Sequence, residues 1–341
     1  MRIELLLLVI SVLFFASIIV SKVSSKFGVP VLLLFLGVGM LFGVDGLGIH
    51  FDNFKITQTI GTVALCIILF SGGMDTKIKD VKPVIAPGVT LATLGVLLTA
   101  AITGIMVWLI MDKTPIGVNI GLYCSLLMAA TISSTDSASV FSILRSKGLY
   151  LKNNIKPTLE LESGSNDPMA YMLTITLISI VNQSGESHIG ITVLQLAVQL
   201  VMGVLAGYVI GKSMVWIINR IRIENESLYP ILVFTACIFI FAVTYYMQGN
   251  SYLAVYIGGL VIGNSKFVHK RSTRNFFDGI SWLSQLVMFL MLGLLVNPSD
   301  LTWNEVILPS IIVSAVMIFV SRPFAVFVSL LPFRKFRMRD K

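Results

Sequence analysis

Eleven long apolar runs divide this chain, and they restrict its fold more than any other feature of the sequence. A helix needs about 20 apolar residues to cross the hydrocarbon layer of a bilayer, and shorter runs must tilt or be completed by neighbouring helices. The pattern predicts an all-α integral membrane protein, a polytopic helical bundle that forms a single transmembrane domain over residues 1–341 with no soluble domain. The runs lie near residues 4–21, 29–44, 58–73, 84–111, 117–143, 155–182, 191–219, 228–247, 250–265, 276–296 and 305–331.

The small share of charged residues excludes a water-soluble core. Only 12% of the residues are charged and 56% are hydrophobic, whereas soluble domains carry roughly 25% charged residues. The net charge of +8 could indicate a nucleic-acid partner, but the basic residues lie in short gaps between the apolar runs. We therefore expect them to contact membrane lipid headgroups, and we expect no nucleic-acid partner.

Lysine and arginine are distributed unevenly between the two sets of gaps. Of the 25 Lys and Arg residues, 20 lie after the odd-numbered runs, counting Lys156 at the start of the sixth run, and only three lie in the N-terminus and the opposite gaps. Basic residues mark the cytoplasmic side, so the N-terminus is predicted outside and the C-terminus in the cytoplasm. The longest polar stretch, residues 265–274, is interpreted as a basic loop, and the first run as a span and not a cleaved signal peptide.

The cysteines give no indication of a metal site or a disulfide framework. Cys66, Cys124 and Cys237 all lie inside apolar runs without the spacing of metal ligands, so we interpret them as packing residues. We expect no cofactor, and no metal ion other than a transported monovalent cation.

Four acidic residues lie well inside apolar runs, away from the run ends, where charge is costly. They are Asp136 in the fifth run and Glu160, Glu162 and Asp167 in the sixth. A charge at the centre of a bilayer costs about 2.5–3.5 kcal/mol on insertion scales, so each carboxylate needs a partner, a proton or a cation. Arg322 is the one arginine well within a run, and one cation does not neutralise several carboxylates. We therefore predict that at least one of them is functional.

The fifth run contains polar residues that do not suit a continuous helix. Hydroxyl side chains compete with helical hydrogen bonds, and broken backbone in a membrane is tolerated where it lines a cavity enclosed by protein. We predict an interrupted helix near Asp136 of the kind that builds ion sites at the membrane midplane. A polar packing stripe would explain the hydroxyls but not the aspartate. The polar residues are Thr131, Ser133, Ser134, Thr135, Ser137 and Ser139.

The sixth run presents two polar faces. Ser163 and Asp167 are four residues apart on one helical face, and Glu162 and Asn166 are four apart on another. Pro168 weakens the helix beside Asp167. We predict that Asp167 is the ion ligand, because it lies beside a hydroxyl on a kinked turn.

The other residues of this region are expected to have supporting roles. Glu162 is the better partner for Arg322, and Glu160 is near the cytoplasmic end, where it could be solvated in an entry funnel. Supporting roles are also predicted for Ser134, Asn166 and Pro168.

A carboxylate in a partly dry cavity predicts exchange and not a channel. Such a group binds either a proton or a cation coordinated by several oxygens, and it is costly to leave empty. Each passage between inward-open and outward-open states then occurs with the site neutralised, which makes exchange obligatory. A channel would need a continuous pore lined by rings of ligands. We therefore predict an antiporter with alternating access, and not an enzyme.

The motifs around these residues resemble those of the cation:proton antiporter-1 family, NhaP type. Thr135-Asp136 followed by Glu162-Ser163-Gly164-Ser165-Asn166-Asp167 resembles the paired signature of the family. Residues 69–74, 292–298 and 321–323 resemble it as well. The resemblance covers essentially the whole chain and is strongest to the bacterial potassium/proton antiporter branch.

The resemblance implies an architecture, a site and a location. The family forms homodimers in the bacterial plasma membrane, each protomer having thirteen spans with inverted six-span repeats, so this chain is expected to be C-terminally truncated. Asn166 resembles the electroneutral pattern of one cation for one proton, and both potassium and sodium stay open as substrates. The ion would be surrounded by the Thr135 backbone, Asp136, Ser163 and Asp167, with Glu162 paired to Arg322.

Two other functions stay open at this point. One is a fragment that folds and dimerises without transporting. The other is an intramembrane aspartyl protease, which needs two facing aspartates, one of them in a Gly-x-Gly-Asp setting. Neither Asp136 nor Asp167 has that setting.

Overall fold

The structure is a computed structural model that describes residues 3–27, 30–113, 121–136, 151, 154–182 and 189–333, and all its regular elements within these ranges are helical. Each of the eleven apolar runs contains a helix, which confirms the predicted all-α class. The helices are α1 Ile3–Phe27, α2 Val31–Phe42, α3 Phe54–Asp75, α4 Ile78–Val81, α5 Ile85–Thr90, α6 Val96–Lys113, α7 Leu122–Thr131, α8 Ile155–Asn182, α9 Ile189–Arg220, α10 Leu228–Tyr246, α11 Ser251–Asn264, α12 Lys270–Leu295, α13 Leu308–Val316 and α14 Arg322–Leu330.

Six helical segments in the described ranges are long and apolar enough to cross a membrane. Helix α8 is not among them, because the predicted site makes it polar, and α2, α7 and α11 are apolar but shorter. The chain is therefore a multi-pass membrane protein, and the count of eleven spans stays a prediction. The six segments are Phe54–Asp75, Ile78–Met111, Leu194–Arg220, Leu228–Tyr246, Lys270–Leu295 and Leu308–Leu330.

Two of the long segments contain wider, π-helical turns. One turn, Leu91–Gly95, joins α5 to α6, and another, Met317–Ser321, joins α13 to α14. A π-turn inserts one extra residue and rotates everything that follows it, and such turns are frequent at functional sites. The second turn ends directly before Arg322, so it sets the direction in which this arginine points.

The basic stretch interpreted as a loop is partly helical, which corrects the prediction for residues 265–274. Helix α12 begins at Lys270, six residues before the predicted tenth run. Arg274 Nη2 donates to the carbonyl of Met74 at 3.0 Å, and Lys270 Nζ donates to the carbonyls of Gly263 and Ser265. These cations satisfy the C-terminal carbonyls of α3 and α11, where helix dipoles favour positive charge. The local composition did not show the partner of Arg274, because Met74 lies on α3.

Helices α3 and α11 pack with their backbones in contact. A Cβ atom placed on Gly73 would lie 2.3 Å from the carbonyl oxygen of Tyr256, and one placed on Gly259 would lie 2.3 Å from that of Phe70. Small residues permit this close approach of membrane helices. The buried rings of Phe70, Tyr256 and Phe277 fill the space beside the contact. The pair forms a rigid support against which α8 is placed.

We expect Gly73→Ala to destabilise the protein by about 1–3 kcal/mol, because the added methyl group would meet backbone and not a movable side chain. The matched control is Gly61→Ala on the same helix, where an added Cβ meets nothing within 4 Å. That control should be neutral or slightly stabilising, since alanine favours helix over glycine by about 1 kcal/mol. Thermal unfolding of the purified variants in detergent measures the difference, and equal melting temperatures would contradict the close packing.

Candidate functional site

The fifth run is not helical throughout, in agreement with the predicted interruption. Helix α7 ends at Thr131, and residues 132–136 are not helical. The Thr131 hydroxyl donates to the carbonyl of Met128 at 2.7 Å, and the Ser133 hydroxyl donates to that of Ala130 at 2.8 Å. These hydroxyls occupy carbonyls that the next helical turn would use, so the helix ends here. Residues 137–143 of the predicted run lie outside the described ranges, Ser137 and Ser139 among them.

The side-chain amide of Asn166 on α8 binds the non-helical segment, residues 132–136. Its Nδ2 donates to the carbonyl oxygen of Thr135 at 3.2 Å and to the Thr135 hydroxyl at 2.9 Å, while its Oδ1 accepts from the Ser134 hydroxyl at 3.2 Å. Asn166 is fully buried. Backbone groups released in a membrane need such replacement partners. The amide therefore stands in for the helical bonds that residues 132–136 lack.

Asp167 contacts the same non-helical segment through Ser134. The Ser134 hydroxyl lies within donating distance of both the Asp167 carboxylate and the Asn166 carbonyl. A hydroxyl has one proton, so Ser134 donates to only one of them at a time. Asp136 is exposed, two residues after Ser134 at the end of the described part of this segment. The structure thus places Ser134 in contact with Asp167, with Ser163 half-buried on the preceding turn of α8.

Glu162 and Arg322 are in contact across the bundle. Arg322 Nη2 donates to Glu162 Oε1, and the two side chains are 18% and 3% exposed respectively. The Thr135 hydroxyl joins this pair to the non-helical segment, since it accepts from Arg322 Nη2 at 3.2 Å and lies 3.4 Å from Glu162 Oε1. With the bond from Asn166, all the hydrogen-bonding capacity of this hydroxyl is used. Glu160 lies outside this network and pairs at 3.6 Å with the exposed Lys156.

Pro168 lies inside α8 and does not end it. The residue has no N–H, so the carbonyl of Gly164 loses its helical donor in the turn that carries Asp167. The ring of the buried Tyr256 covers that turn, because a Cβ on Gly164 would lie 2.5 Å from it. Pro168 is therefore placed to loosen the helix beside the Asp167 carboxylate.

Sequence reasoning missed two residues that contact this turn from α11. One is Tyr256, and the other is Asn250, whose Nδ2 donates to the carbonyl of Pro168 at 3.0 Å. Asn250 also begins α11, where its Oδ1 accepts from the N–H of Leu253. Asparagine is common at the start of helices, but a contact with a residue 82 positions away leaves no signal in the sequence.

Metal ligands do not cluster in the described ranges, where no group of three or more His, Cys, Asp or Glu residues could hold a metal ion. Cys66 and Cys237 are buried in the core, as the packing interpretation predicts, and Cys237 Sγ lies 3.7 Å from the carbonyl of Cys66. Cys124 is exposed on α7 instead, so the packing interpretation is wrong for it.

Comparison with known proteins agrees with the geometry. The chain is 42% identical over 335 residues to the K(+)/H(+) antiporter NhaP of Alkalimonas amylolytica and 40% identical over 327 residues to the K(+)/H(+) antiporter NhaP2 of Shewanella sp. (strain ANA-3). These alignments cover 97% and 95% of this chain but 56% and 55% of the relatives. The chain thus spans about half the length of the curated relatives it matches.

A solved structure shows the same fold. The sodium proton antiporter MjNhaP1 from Methanocaldococcus jannaschii, determined at pH 8, superposes with a TM-score of 0.79 at 25% sequence identity, covering 96% of this chain and 80% of the other. The family described as sodium/hydrogen exchanger, transmembrane, matches residues 10–341. These matches confirm the resemblance that the motifs indicated, and the chain therefore belongs to the sodium/hydrogen exchanger family.

Proposed function

We propose that this protein exchanges one potassium ion for one proton across the membrane, with Asp167 binding the two in turn. The observation that carries the proposal is the contact between the Asp167 carboxylate and the Ser134 hydroxyl. This contact lies at the non-helical segment that the buried Asn166 binds. Potassium is favoured because the relatives compared above, at 42% and 40% identity, are named as potassium/proton antiporters. Sodium is the alternative, favoured by the name of the solved neighbour.

We propose that Ser134 allows the site to bind either the cation or the proton. When Asp167 is an empty carboxylate, the Ser134 hydroxyl donates to it. When a cation binds, the hydroxyl can turn its proton to Asn166 Oδ1 at 3.2 Å and offer a lone pair to the cation. When a proton binds, the carboxyl is already neutral. The site is thus neutralised by a cation or by a proton, and passage between the two faces of the membrane is cheap in both forms.

The other charges of the site are proposed to keep the exchange electroneutral. Asn166 carries no charge, and its amide donates hydrogen bonds to Thr135. It therefore adds no second titrating carboxylate beside Asp167. Glu162 neutralises Arg322, which would otherwise compete with the cation for Asp167. Asp136, Ser163 and the Thr135 carbonyl are proposed as further oxygen ligands of the cation.

We further propose the setting that the sequence predicted. The protein is a homodimer in a bacterial plasma membrane, with its N-terminus outside and its C-terminus in the cytoplasm, and residues 1–341 form one transmembrane domain. The charge distribution supports the orientation, since 20 of 25 Lys and Arg residues lie on the predicted cytoplasmic side. Terminal alkaline phosphatase and green fluorescent protein fusions test the orientation, and cross-linking in membranes tests the dimer.

Proton flux in reconstituted vesicles tests the function. The purified protein is placed in liposomes containing a pH-sensitive dye, and gradients of potassium, sodium, lithium or rubidium are imposed in turn. We expect saturable proton movement with potassium, and no charge displacement on a solid-supported membrane, because one positive charge moves each way. Proton flux that is the same with choline as with every alkali cation would contradict the proposal.

We expect Ser134→Ala to raise the potassium concentration for half-maximal exchange by roughly ten- to a hundredfold, because it removes the hydroxyl oxygen that would coordinate the cation, a contact comparable to a hydrogen bond to a charged group, which contributes about 1.5–3 kcal/mol. The matched control is Ser133→Ala, which removes the neighbouring hydroxyl. That hydroxyl is fully buried but donates to Ala130 and not to Asp167. Half-saturation unchanged in Ser134→Ala, or shifted equally in both variants, would show that the Ser134 hydroxyl does not serve the ion site.

A further inference from the structure

The turn of α8 that carries Asp167 lacks one of its helical hydrogen bonds. Pro168 has no N–H to donate to the carbonyl of Gly164, and its ring disturbs the preceding turn. The position of Asp167 relative to Ser134 therefore depends on contacts from outside α8. Two such contacts come from α11: the bond from Asn250 Nδ2 to the carbonyl of Pro168 at 3.0 Å, and the edge-on contact of Tyr171 with Tyr252, whose ring centres are 4.6 Å apart.

Asn250 is itself buried and held by two further hydrogen bonds. Its backbone N–H donates to the carbonyl of Gln199 on α9 at 2.9 Å, its Oδ1 accepts from the N–H of Leu253 at 3.0 Å, and it is only 6% exposed. The N–H of Leu253 requires an acceptor, which fixes the amide orientation and turns Nδ2 towards Pro168. Gly203 of α9 closes the remaining side, since a Cβ there would lie 2.7 Å from the carbonyl of Asn250. The donor that reaches α8 therefore does not move freely.

We propose that Asn250 is a positioning residue for the ion site. Its amide fixes the carbonyl of Pro168, and through it sets the distance between Asp167 and Ser134 and the affinity for the cation. The inference rests on the proposed function. It assigns to the start of α11 a part in cation affinity, although Asn250 is not itself a ligand of the ion.

Replacing the two capping asparagines by serine separates this role from helix capping. Asn250→Ser keeps a side-chain oxygen for the cap but lacks an amide that reaches Pro168, and serine caps about as well as asparagine. Asn53→Ser makes the same change at the start of α3, where Asn53 Oδ1 accepts from Ile56 N at 3.0 Å. We expect Asn250→Ser to raise half-saturating potassium about fivefold to tenfold, the size of a typical buried hydrogen bond, with the maximal rate nearly unchanged. Asn53→Ser should leave both quantities unchanged.

Two further measurements decide between positioning and simple loss of stability. The first is the rise in melting temperature of the purified protein with potassium chloride against choline chloride, which reports binding without transport. Asn250→Ser should need the same fivefold to tenfold more potassium for a given rise. The second is a double replacement with Ser134→Ala. If Asn250 acts through the contact of Asp167 with Ser134, the two effects should combine to much less than their product.

The outcomes are distinct. Wild-type half-saturation in Asn250→Ser, or full multiplication of its effect with that of Ser134→Ala, would overturn the positioning role and leave the exchange function standing. Potassium-driven exchange persisting in Asp167→Asn would instead overturn the role of Asp167 in the proposed function. A lower melting temperature in Asn250→Ser with an unchanged potassium response would assign Asn250 to stability alone.

Discussion

Asp167→Asn should abolish potassium-driven proton movement while the protein still folds and inserts. The amide keeps the shape of the side chain but removes both its charge and its ability to take up a proton. The neutral amide can still accept a hydrogen bond from the Ser134 hydroxyl, so the contact between α8 and the non-helical segment is preserved. We expect a loss of at least about a hundredfold in rate, since the exchanging group itself is removed, as typical for a residue that acts directly in proton transfer.

Glu160→Gln is the matched control for this variant. Glu160 is on the same helix and is also acidic, but it is partly exposed and paired with Lys156 at 3.6 Å. Its replacement should leave the exchange rate within a factor of two or so of the wild type, because exposed pairs contribute little. Flux and melting temperature are measured on both purified variants. Near-wild-type exchange in Asp167→Asn would mean that another group carries the proton, and Asp136 would then be the first alternative.

The parts of the structure that depend on local pattern were predictable from the sequence. Runs of apolar residues predict the helices, and the polar residues around Ser133 predict the end of α7, because hydroxyls compete for carbonyls within one turn. The contact of Glu162 with Arg322 was also within reach, although they are 160 positions apart. Arg322 was the one arginine well inside an apolar run, so few partners for it were available.

The parts that depend on contacts between distant segments were not predictable. Thr135 was expected to contribute its backbone, whereas its hydroxyl also joins Asn166 to the pair of Glu162 and Arg322. The π-turn before Arg322 leaves no mark in hydropathy, because one extra residue in a helical turn does not change composition. Asn250 is indistinguishable from any other capping asparagine until α11 is packed against α8. A single sequence records what each residue prefers locally and not which carbonyl will face it.

Breaking the contact between Glu162 and Arg322 should be the most damaging change to stability. The Glu162 side chain is 3% exposed, so either Glu162→Gln or Arg322→Gln leaves a buried charge without its partner, at a cost of roughly 3–5 kcal/mol. The pair of Arg274 and Asp75 is the matched control. Its groups are 3.8 Å apart with side chains 36% and 58% exposed, so Asp75→Asn should cost less than about 1 kcal/mol. Thermal unfolding in detergent compares the three variants.

The double replacement distinguishes a pair from two separate effects. Glu162→Gln with Arg322→Gln removes both charges, so it should cost clearly less than the sum of the single changes. Additive losses in the double variant would mean that the contact does not act as a buried ion pair. Thr135 would then be the residue that holds α14 to the non-helical segment, because its hydroxyl also accepts a hydrogen bond from Arg322 Nη2.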